Sequence, residues 1–306
     1  MLTTLNDVLP DAKKKHYAVG AFNTSNLEIT QAILAAAQAL SAPVIIAVSE
    51  KAIQYAGLPQ ITAIITGLAR KIRIPVVIHL DHGPSFELAE ACIRAGFTSV
   101  MIDASALPYK ENVGLTRKVK AFARRHKVSV EAEIGRLAGI EDNVAVSHDQ
   151  ALYTDPGEAR RFARETECDA LAIAIGTSHG AYKFKGKPKL RIDILRQIAA
   201  EVKIPLVLHG ASSVKKNYVE LVNKYGGNLT HARGVTDALL RSAIKSGITK
   251  INVDTDLRIA FTAGIRQYLT ENPADFDPRK SLAAGRDQIT RVIRERIRVF
   301  GSKGRA

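Results

Sequence analysis

The sequence predicts a (β/α)8 barrel: eight parallel strands closed into a ring, with helices outside. Three observations carry this. Eight short segments rich in Val and Ile recur along the chain, amphipathic stretches separate them, and 306 residues suit eight βα units in one domain spanning 1–306. Strands are expected at 17–22, 43–49, 75–80, 99–102, 128–134, 170–175, 205–208 and 250–253. Most run continuously apolar, as parallel strands buried on both faces do. Pro43, Pro75 and Pro205 open three of them, where a missing N–H matters least.

The first helix is expected to start at Ser25, which with Glu28 forms a capping box, and to turn Leu27, Ile33, Leu34, Ala37 and Leu40 inward. A second spans 85–95 and stops at Gly96, a third covers 192–202, and a basic helix over 281–299 is added after the barrel. Two connections are long. Residues 136–156, with Gly139, Glu141 and Asp142, read as a lid or binding loop. Residues 214–235 hold a short helix over 217–225, ended by Gly226 and Gly227. A doubly wound open sheet is the other α/β arrangement, but it needs fewer strands and no GxGxxG follows the first one.

Hydrophobic residues make up 46% and charged residues 24%, the composition of an ordinary soluble protein. No apolar run approaches the roughly 20 residues that span a bilayer, and MLTTLNDVLPDAKKK carries no signal-peptide core. Cys92 and Cys168 are too few for a disulfide framework or a thiolate cluster and suit a reducing cytoplasm. The net charge of +14 raises the question of nucleic acid. The basic residues are spread along the chain, with modest clusters at 13–15, 183–189 and 291–298 and no aromatic platforms among them. A field suited to a small polyanionic substrate is expected, with no nucleic-acid or membrane partner.

The C-terminal ends of barrel strands carry the active site. Here those ends read Asn23, Ser49 and Glu50, Asp81 and His82, Asp103, Glu133, His179, His209, and Asn252 with Asp254. His82, His179 and His209 each follow an apolar run and precede a glycine, in VVIHLDHG, LAIAIGTSHG and PLVLHG. Together they make a His₃ metal site with an open fourth position, as catalytic zinc uses. His79 reads as a hydrogen-bonded core histidine, and His16, His126, His148 and His231 as solvated. Asp103 and Glu133 could cap helices, orient a ligand histidine or bind a second ion. Lys250 stands where a Schiff-base lysine could, but its neighbours are polar rather than desolvating, so a structural or electrostatic role is expected. Glycine-rich turns at 176–180 and 209–213, the Asn252, Val253, Asp254, Thr255 turn, and Lys183 form a phosphate cradle.

The segments YAVGAFN, SAPVIIAVSE, HLDHG, GFTSVMID, VEAEIGRLAGIED, IAIGTSHGAYK, LHGAS, INVDTDLR and DPRK cover almost the whole chain. In them the sequence closely resembles the class II, metal-dependent fructose-1,6-bisphosphate aldolases. The resemblance implies a zinc-dependent (β/α)8 lyase of glycolysis and gluconeogenesis, a homodimer or homotetramer. Its reaction is reversible cleavage of fructose 1,6-bisphosphate to dihydroxyacetone phosphate and glyceraldehyde 3-phosphate.

By that resemblance His82, His179 and His209 hold Zn²⁺, replaceable by Co²⁺ or another divalent ion. Asp81 is the acid/base at the C4 hydroxyl, and Glu141 the base for the dihydroxyacetone phosphate carbon. Asp103 and Glu133 match a second or vacated metal site. Gly180, Gly210, Ala211, Ser212, Asn252, Val253, Asp254 and Thr255 match contacts to the dihydroxyacetone phosphate half. Ser49, Arg258 and Arg279 match contacts to the other half, with Arg279 coming from a neighbouring subunit. A monovalent cation (K⁺, Na⁺ or NH₄⁺) near the phosphate is also implied. Ala211-Ser212-Ser213 departs slightly from the family pattern. Asp254 stands where tagatose-1,6-bisphosphate aldolases, the alternative, have a small residue. The chemistry agrees: C–C cleavage beside a carbonyl needs a Lewis acid, two proton-transfer groups and two anion sites.

Overall fold

The structure, a computed structural model, describes residues 1–135, 138–141, 144–146, 153–180, 189–230 and 232–306, with the backbone alone at 138–141, 144–146 and 179. Its strands are β1 (Val19–Asn23), β2 (Val44–Ser49), β3 (Val76–Gly83), β4 (Ser99–Ile102), β5 (Ser129–Ile134), β6 (Ala138–Glu141), β7 (Val144–Val146), β8 (Ala170–Ile173), β9 (Ser178–His179), β10 (Leu206–Leu208) and β11 (Ile248–Val253). Eight of them close a barrel in the order β1-β11-β10-β8-β5-β4-β3-β2, all pairs parallel. These are the eight segments expected, with bounds shifted by one to three residues.

The long connection after β5 is not only loop. Among the described residues β6 and β7 form an antiparallel hairpin, and β6 pairs in parallel with β9, setting Gly139 opposite His179. Strands of four, three and two residues with mixed polarity are too short to show a period.

A helix that the strand-helix pattern did not include opens the chain. It is α1 (Leu5–Lys15), with a reciprocal Thr4–Asp7 capping box. Pro10 and the run Lys13-Lys14-Lys15 disguise its apolar stripe. Leu5, Val8, Leu9 and Ala12 pack against Val19, Ala21, Ile45, Val77, Ala170, Ala172 and Val207, which point inward from five strands. The helix therefore closes the N-terminal end of the barrel and leaves the C-terminal end as its mouth.

The helix α2 (Leu27–Ala39) is capped by Asn26, not by Ser25 with Glu28: the Asn26 Oδ1 accepts the Ile29 N–H at 2.9 Å. Asn26 is fully extended, and its short amide reaches the open N–H of the first turn. Further on, α5 (Phe86–Ala95) starts at Ser85 and stops at left-handed Gly96 as expected. The helix after β10 is α9 (Lys216–Lys224). The last, α12 (Pro278–Phe300), begins earlier than expected because Asp277 caps it and Pro278 occupies its first turn. It packs on α2 and on α11 (Thr255–Glu271). No helix among the described residues is long and apolar enough to cross a membrane.

Above the apolar plug the barrel interior is ionic. Side chains two apart on a strand share a face, so His79 lies beneath Asp81, Glu131 beneath Glu133, and Lys250 beneath Asn252. The Lys250 ammonium meets Glu131 at 2.9 Å and lies 3.4 Å from His79, whose other nitrogen bonds Ser99 at 2.8 Å. Lys250 is fully buried, so its surroundings, polar as the sequence suggested, are nonetheless desolvated, and its partner there is the Glu131 carboxylate. His79 is the core histidine expected, while His16 and His126 are exposed and His148 and His231 lie outside the described residues.

Removing one partner of a buried ion pair strands the other charge. Lys250→Met should lower the unfolding free energy in urea titrations by about 3–5 kcal/mol, and adding Glu131→Gln should recover much of it. A single variant as stable as the wild type would show that the pair contributes nothing.

Candidate active site

Asp81 lies two residues before the end of β3, buried at the barrel mouth. One carboxylate oxygen accepts the Asn252 amide and the other the Asn23 amide, each at 2.8 Å. Asn23 and Asn252 come from the adjoining strands β1 and β11, where Ala21 stands opposite Asn252. Burial works against the Asp81 charge, but His82, Lys250 and His209 outweigh it and bring its pKa down to about 2. Asp81 is thus an ionised carboxylate held in one orientation.

His82 has a left-handed backbone, φ 47°, where the β3–β4 register shifts. Such a bulge re-aims a side chain. The next residue must be glycine, since a Cβ at Gly83 would stand 2.5 Å from the Met101 carbonyl oxygen. The His82 Nδ1 is 2.7 Å from Asp103 and 3.8 Å from Glu133. Asp103 is held in turn by the Ser105 N–H and hydroxyl. Burial opposes an imidazolium here, but Asp103, Asp81 and Glu133 outweigh it and push the His82 pKa up to about 10.

The His209 ring lies between two carboxylates, its Nδ1 within 2.9 Å of Glu133 and its Nε2 within 3.0 Å of Glu131. Its centroid is 4.5 Å from that of His82. Burial lowers its pKa, yet the flanking glutamates raise it overall. Burial and the nearby Asp103 raise Glu133. Three readings were open for Asp103 and Glu133, and each carboxylate here lies against an imidazole nitrogen, Asp103 at His82 and Glu133 at His209.

Gly210, at φ +60°, allows the turn after β10 to rest on the backbone of Ser178, which a Cβ would approach to 2.8 Å. The backbone of His179 is thereby set beside the His209 turn, and β6 sets Gly139, two residues before Glu141, opposite His179. The side chains of His179 and Glu141, and all of Lys183, lie outside the described residues.

The donors suit a divalent cation. Ligand atoms of Asp81, His82 and His209 lie within 4.8 Å of one another, as do those of His82, Asp103 and Glu133. Three buried carboxylates (Asp81, Glu131 and Glu133) and the half-buried Asp103 face one ammonium, Lys250, and two imidazoles driven toward protonation. Mixed nitrogen and oxygen donors under such a negative field match zinc and its neighbours.

A cavity of about 470 Å³ has a wall that includes Asn23, whose amide holds Asp81, together with Ser49, Asp254, Arg258 and Phe261. Arg258 binds Asp254 through two nitrogens, at 2.9 and 2.6 Å. Asp254 also donates its N–H to the Ser212 hydroxyl at 3.4 Å, and Thr255 begins α11. Ala211 and Val253 are buried, and Gly180 has φ +84°. Arg279 is not part of this wall: it is exposed at the start of α12, paired with Asp277 at 2.8 Å.

Sequence reasoning missed the groups that hold the turn after β10. Asp256 accepts the N–H groups of Ser213 and Val214 at 2.9 and 2.6 Å. Arg296, buried on α12, donates to Ser213 and to Asp237 at 2.5 and 2.8 Å. An arginine amid the basic face of a C-terminal helix carries no local sign of burial. Glu131 was also missed, although its spacing of two from Glu133 placed both on the interior face.

The family model described as fructose-bisphosphate aldolase class-II matches residues 3–305. The fructose-bisphosphate aldolase of Thermus caldophilus is 50% identical over 306 residues, 100% of both chains. That of Helicobacter pylori (strain ATCC 700392 / 26695) is 45% identical, covering 99% of each chain. That of Giardia intestinalis is 45% identical over 100% of this chain and 94% of its own. Among solved structures, the YdjI aldolase of Escherichia coli K12 superposes with a TM-score of 0.82 at 30% identity over 100% of both chains.

Burial, reinforced by Lys250, pushes the His79 pKa from 6.5 down to about 3. The unfolded chain therefore takes up this proton first as the pH falls, and stability present above about 6.5 is lost toward about 3. In chelator-treated protein, the wild type should lose more stability over that interval than His79→Gln, measured by urea unfolding at a series of pH values. Parallel curves would mean that His79 takes no part in the acid sensitivity.

Proposed function

The chain belongs to the class-II fructose-bisphosphate aldolase family, and we propose that it cleaves fructose 1,6-bisphosphate with Asp81 as the proton carrier and zinc held by His82, His179 and His209. The activity is that of a lyase, reversible aldol cleavage to dihydroxyacetone phosphate and glyceraldehyde 3-phosphate. The relatives described above bear the fructose name, which favours this sugar over its tagatose epimer.

One observation carries the mechanism: an ionised Asp81, within ligand distance of His82 and His209, is anchored by Asn252 and by Asn23, which lines the cavity. The metal ion, when bound, supplies a Lewis acid for the substrate carbonyl. Asp81 accepts the C4 hydroxyl proton as the C3–C4 bond breaks, and the bonding electrons pass to C3 and its neighbouring carbonyl. In the reverse direction Asp81 returns that proton. Glu141, carried by the β6–β7 hairpin, delivers the proton to C3 that completes dihydroxyacetone phosphate.

Asp103 and Glu133 fix the tautomer and direction of His82 and His209. Gly180, Lys183, Gly210, Ala211, Ser212 and the 252–255 turn hold the phosphate of the dihydroxyacetone half, with a monovalent cation beside it. Asn23 and Ser49 line the path to the other half together with Arg258. Arg279, exposed on its own chain, would serve a neighbouring copy, making a homodimer or homotetramer the working unit. The reaction belongs to cytoplasmic glycolysis and gluconeogenesis.

A coupled aldolase assay tests this reading. Chelation should abolish cleavage, and Zn²⁺ or Co²⁺ should restore it. Asp81→Asn should lower turnover by about 10²-fold or more with its metal content intact. Borohydride with substrate should leave the enzyme active, and fructose 1,6-bisphosphate should surpass tagatose 1,6-bisphosphate by at least about tenfold in kcat/KM. Inactivation by borohydride would instead implicate a Schiff base on Lys250.

A further inference from the structure

We propose that Arg296 is a positioning residue for the reaction: through the Ser213 hydroxyl it fixes the turn after β10 that meets the first phosphate of the sugar. This rests on the aldolase reading above, which gives Gly210, Ala211 and Ser212 of that turn to the phosphate. Arg296 is 1% exposed, whereas Arg291, Arg294 and Arg298 of the same helix are exposed. Its Nη1 donates to the Ser213 hydroxyl at 2.5 Å and to Asp237, the first residue of α10 (Asp237–Lys245), at 2.8 Å. Its Nη2 donates to Glu295 at 3.1 Å, and Lys215 pairs with both Asp237 and Glu295 at 2.8 Å. Stability alone does not account for an arginine here. Its Nε is buried with no partner among the described residues, and an apolar side chain would fill the same place at smaller cost. What the burial achieves is the contact with the turn.

The turn is held in a conformation it would not keep by itself. Val214 has φ 47°, a left-handed backbone that is costly for a β-branched residue and persists only where its surroundings fix it. Those surroundings are specific. Asp256 on α11 accepts the N–H groups of Ser213 and Val214 at 2.9 and 2.6 Å. The Val235 N–H donates to the Ser212 carbonyl at 3.1 Å, and a Cβ on Gly234 would overlap the backbone of Ser212 and Ser213. Arg296 adds the tie from α12. With the peptides of residues 212–214 committed to these partners, the direction of the preceding peptides follows, and backbone N–H groups hold an anion only when they converge on it.

The split between KM and kcat separates positioning from packing. A loosened turn binds the phosphate more weakly in the ground and transition states alike, so KM rises while kcat holds. A merely destabilised fold lowers the amount of active enzyme, and so the apparent kcat, at unchanged KM. Arg296→Met, and Ser213→Ala, which removes the same contact from the other side, should each raise KM for fructose 1,6-bisphosphate by about tenfold, with kcat within about twofold of the wild type. The double variant should be no worse than the worse single one, since both remove one interaction. A wild-type KM in Ser213→Ala, a loss of kcat at constant KM in Arg296→Met, or effects that multiply in the double variant would each overturn the inference alone. Should Arg296→Met fail to fold, the KM of Ser213→Ala decides. If the wild type does not cleave fructose 1,6-bisphosphate, the aldolase reading falls and takes this inference with it.

Discussion

The mouth of the barrel is organised around buried negative charge. The buried Asp81, Glu131 and Glu133 and the half-buried Asp103 converge there, and burying carboxylates is costly unless each is paired. Every neighbouring polar group answers that demand. Lys250 neutralises Glu131, two amides grip Asp81, and the rings of His82 and His209 bridge the remaining acids. The same field that raises the pKa of both imidazoles would attract a divalent cation, and a bound cation would displace their protons. The positive groups that keep Asp81 ionised, His82, Lys250 and His209, are themselves held in place by the other carboxylates.

The barrel supplies this arrangement through its period of two. Each of β1, β3, β5 and β11 presents an apolar or ionic residue low in the barrel and a functional one two positions higher. Ala21 precedes Asn23, His79 precedes Asp81, Glu131 precedes Glu133, and Lys250 precedes Asn252. The plug formed by α1 fills the lower end with aliphatic side chains, so the polar layers are reached only from the mouth. The turns above the strands are tied to the outer helices, Ser213 and Val214 through Asp256 on α11 and Ser213 again through Arg296 on α12. The added C-terminal helix is therefore structurally continuous with the turn after β10.

What could be read from the sequence was local. Doubly buried parallel strands are apolar runs, and their ends are marked by a sudden histidine, aspartate or asparagine followed by glycine. That pattern located Asp81, His82 and His209. Pairings made across strands were not legible: the amides of Asn23 and Asn252 on Asp81 join three strands far apart in the chain, and the burial of Lys250 depends on Glu131 facing it. Short hydrogen-bonded pieces also escaped, since the β6–β7 hairpin and β9 are too brief for periodicity. At Asn26 the error was one residue, because two adjacent polar side chains both satisfy the capping preference and only the backbone angle decides between them.

The central claim is that the carboxylates hold the imidazoles for a divalent ion. It is tested most directly by measuring Zn²⁺ affinity, by competition with a chromogenic chelator, for the wild type and Glu133→Gln. The glutamine keeps the shape of the side chain while removing its charge. The account predicts an affinity about 10–100-fold weaker in the variant. Equal affinities would contradict it, because the metal site would then not depend on the charge that orients His209.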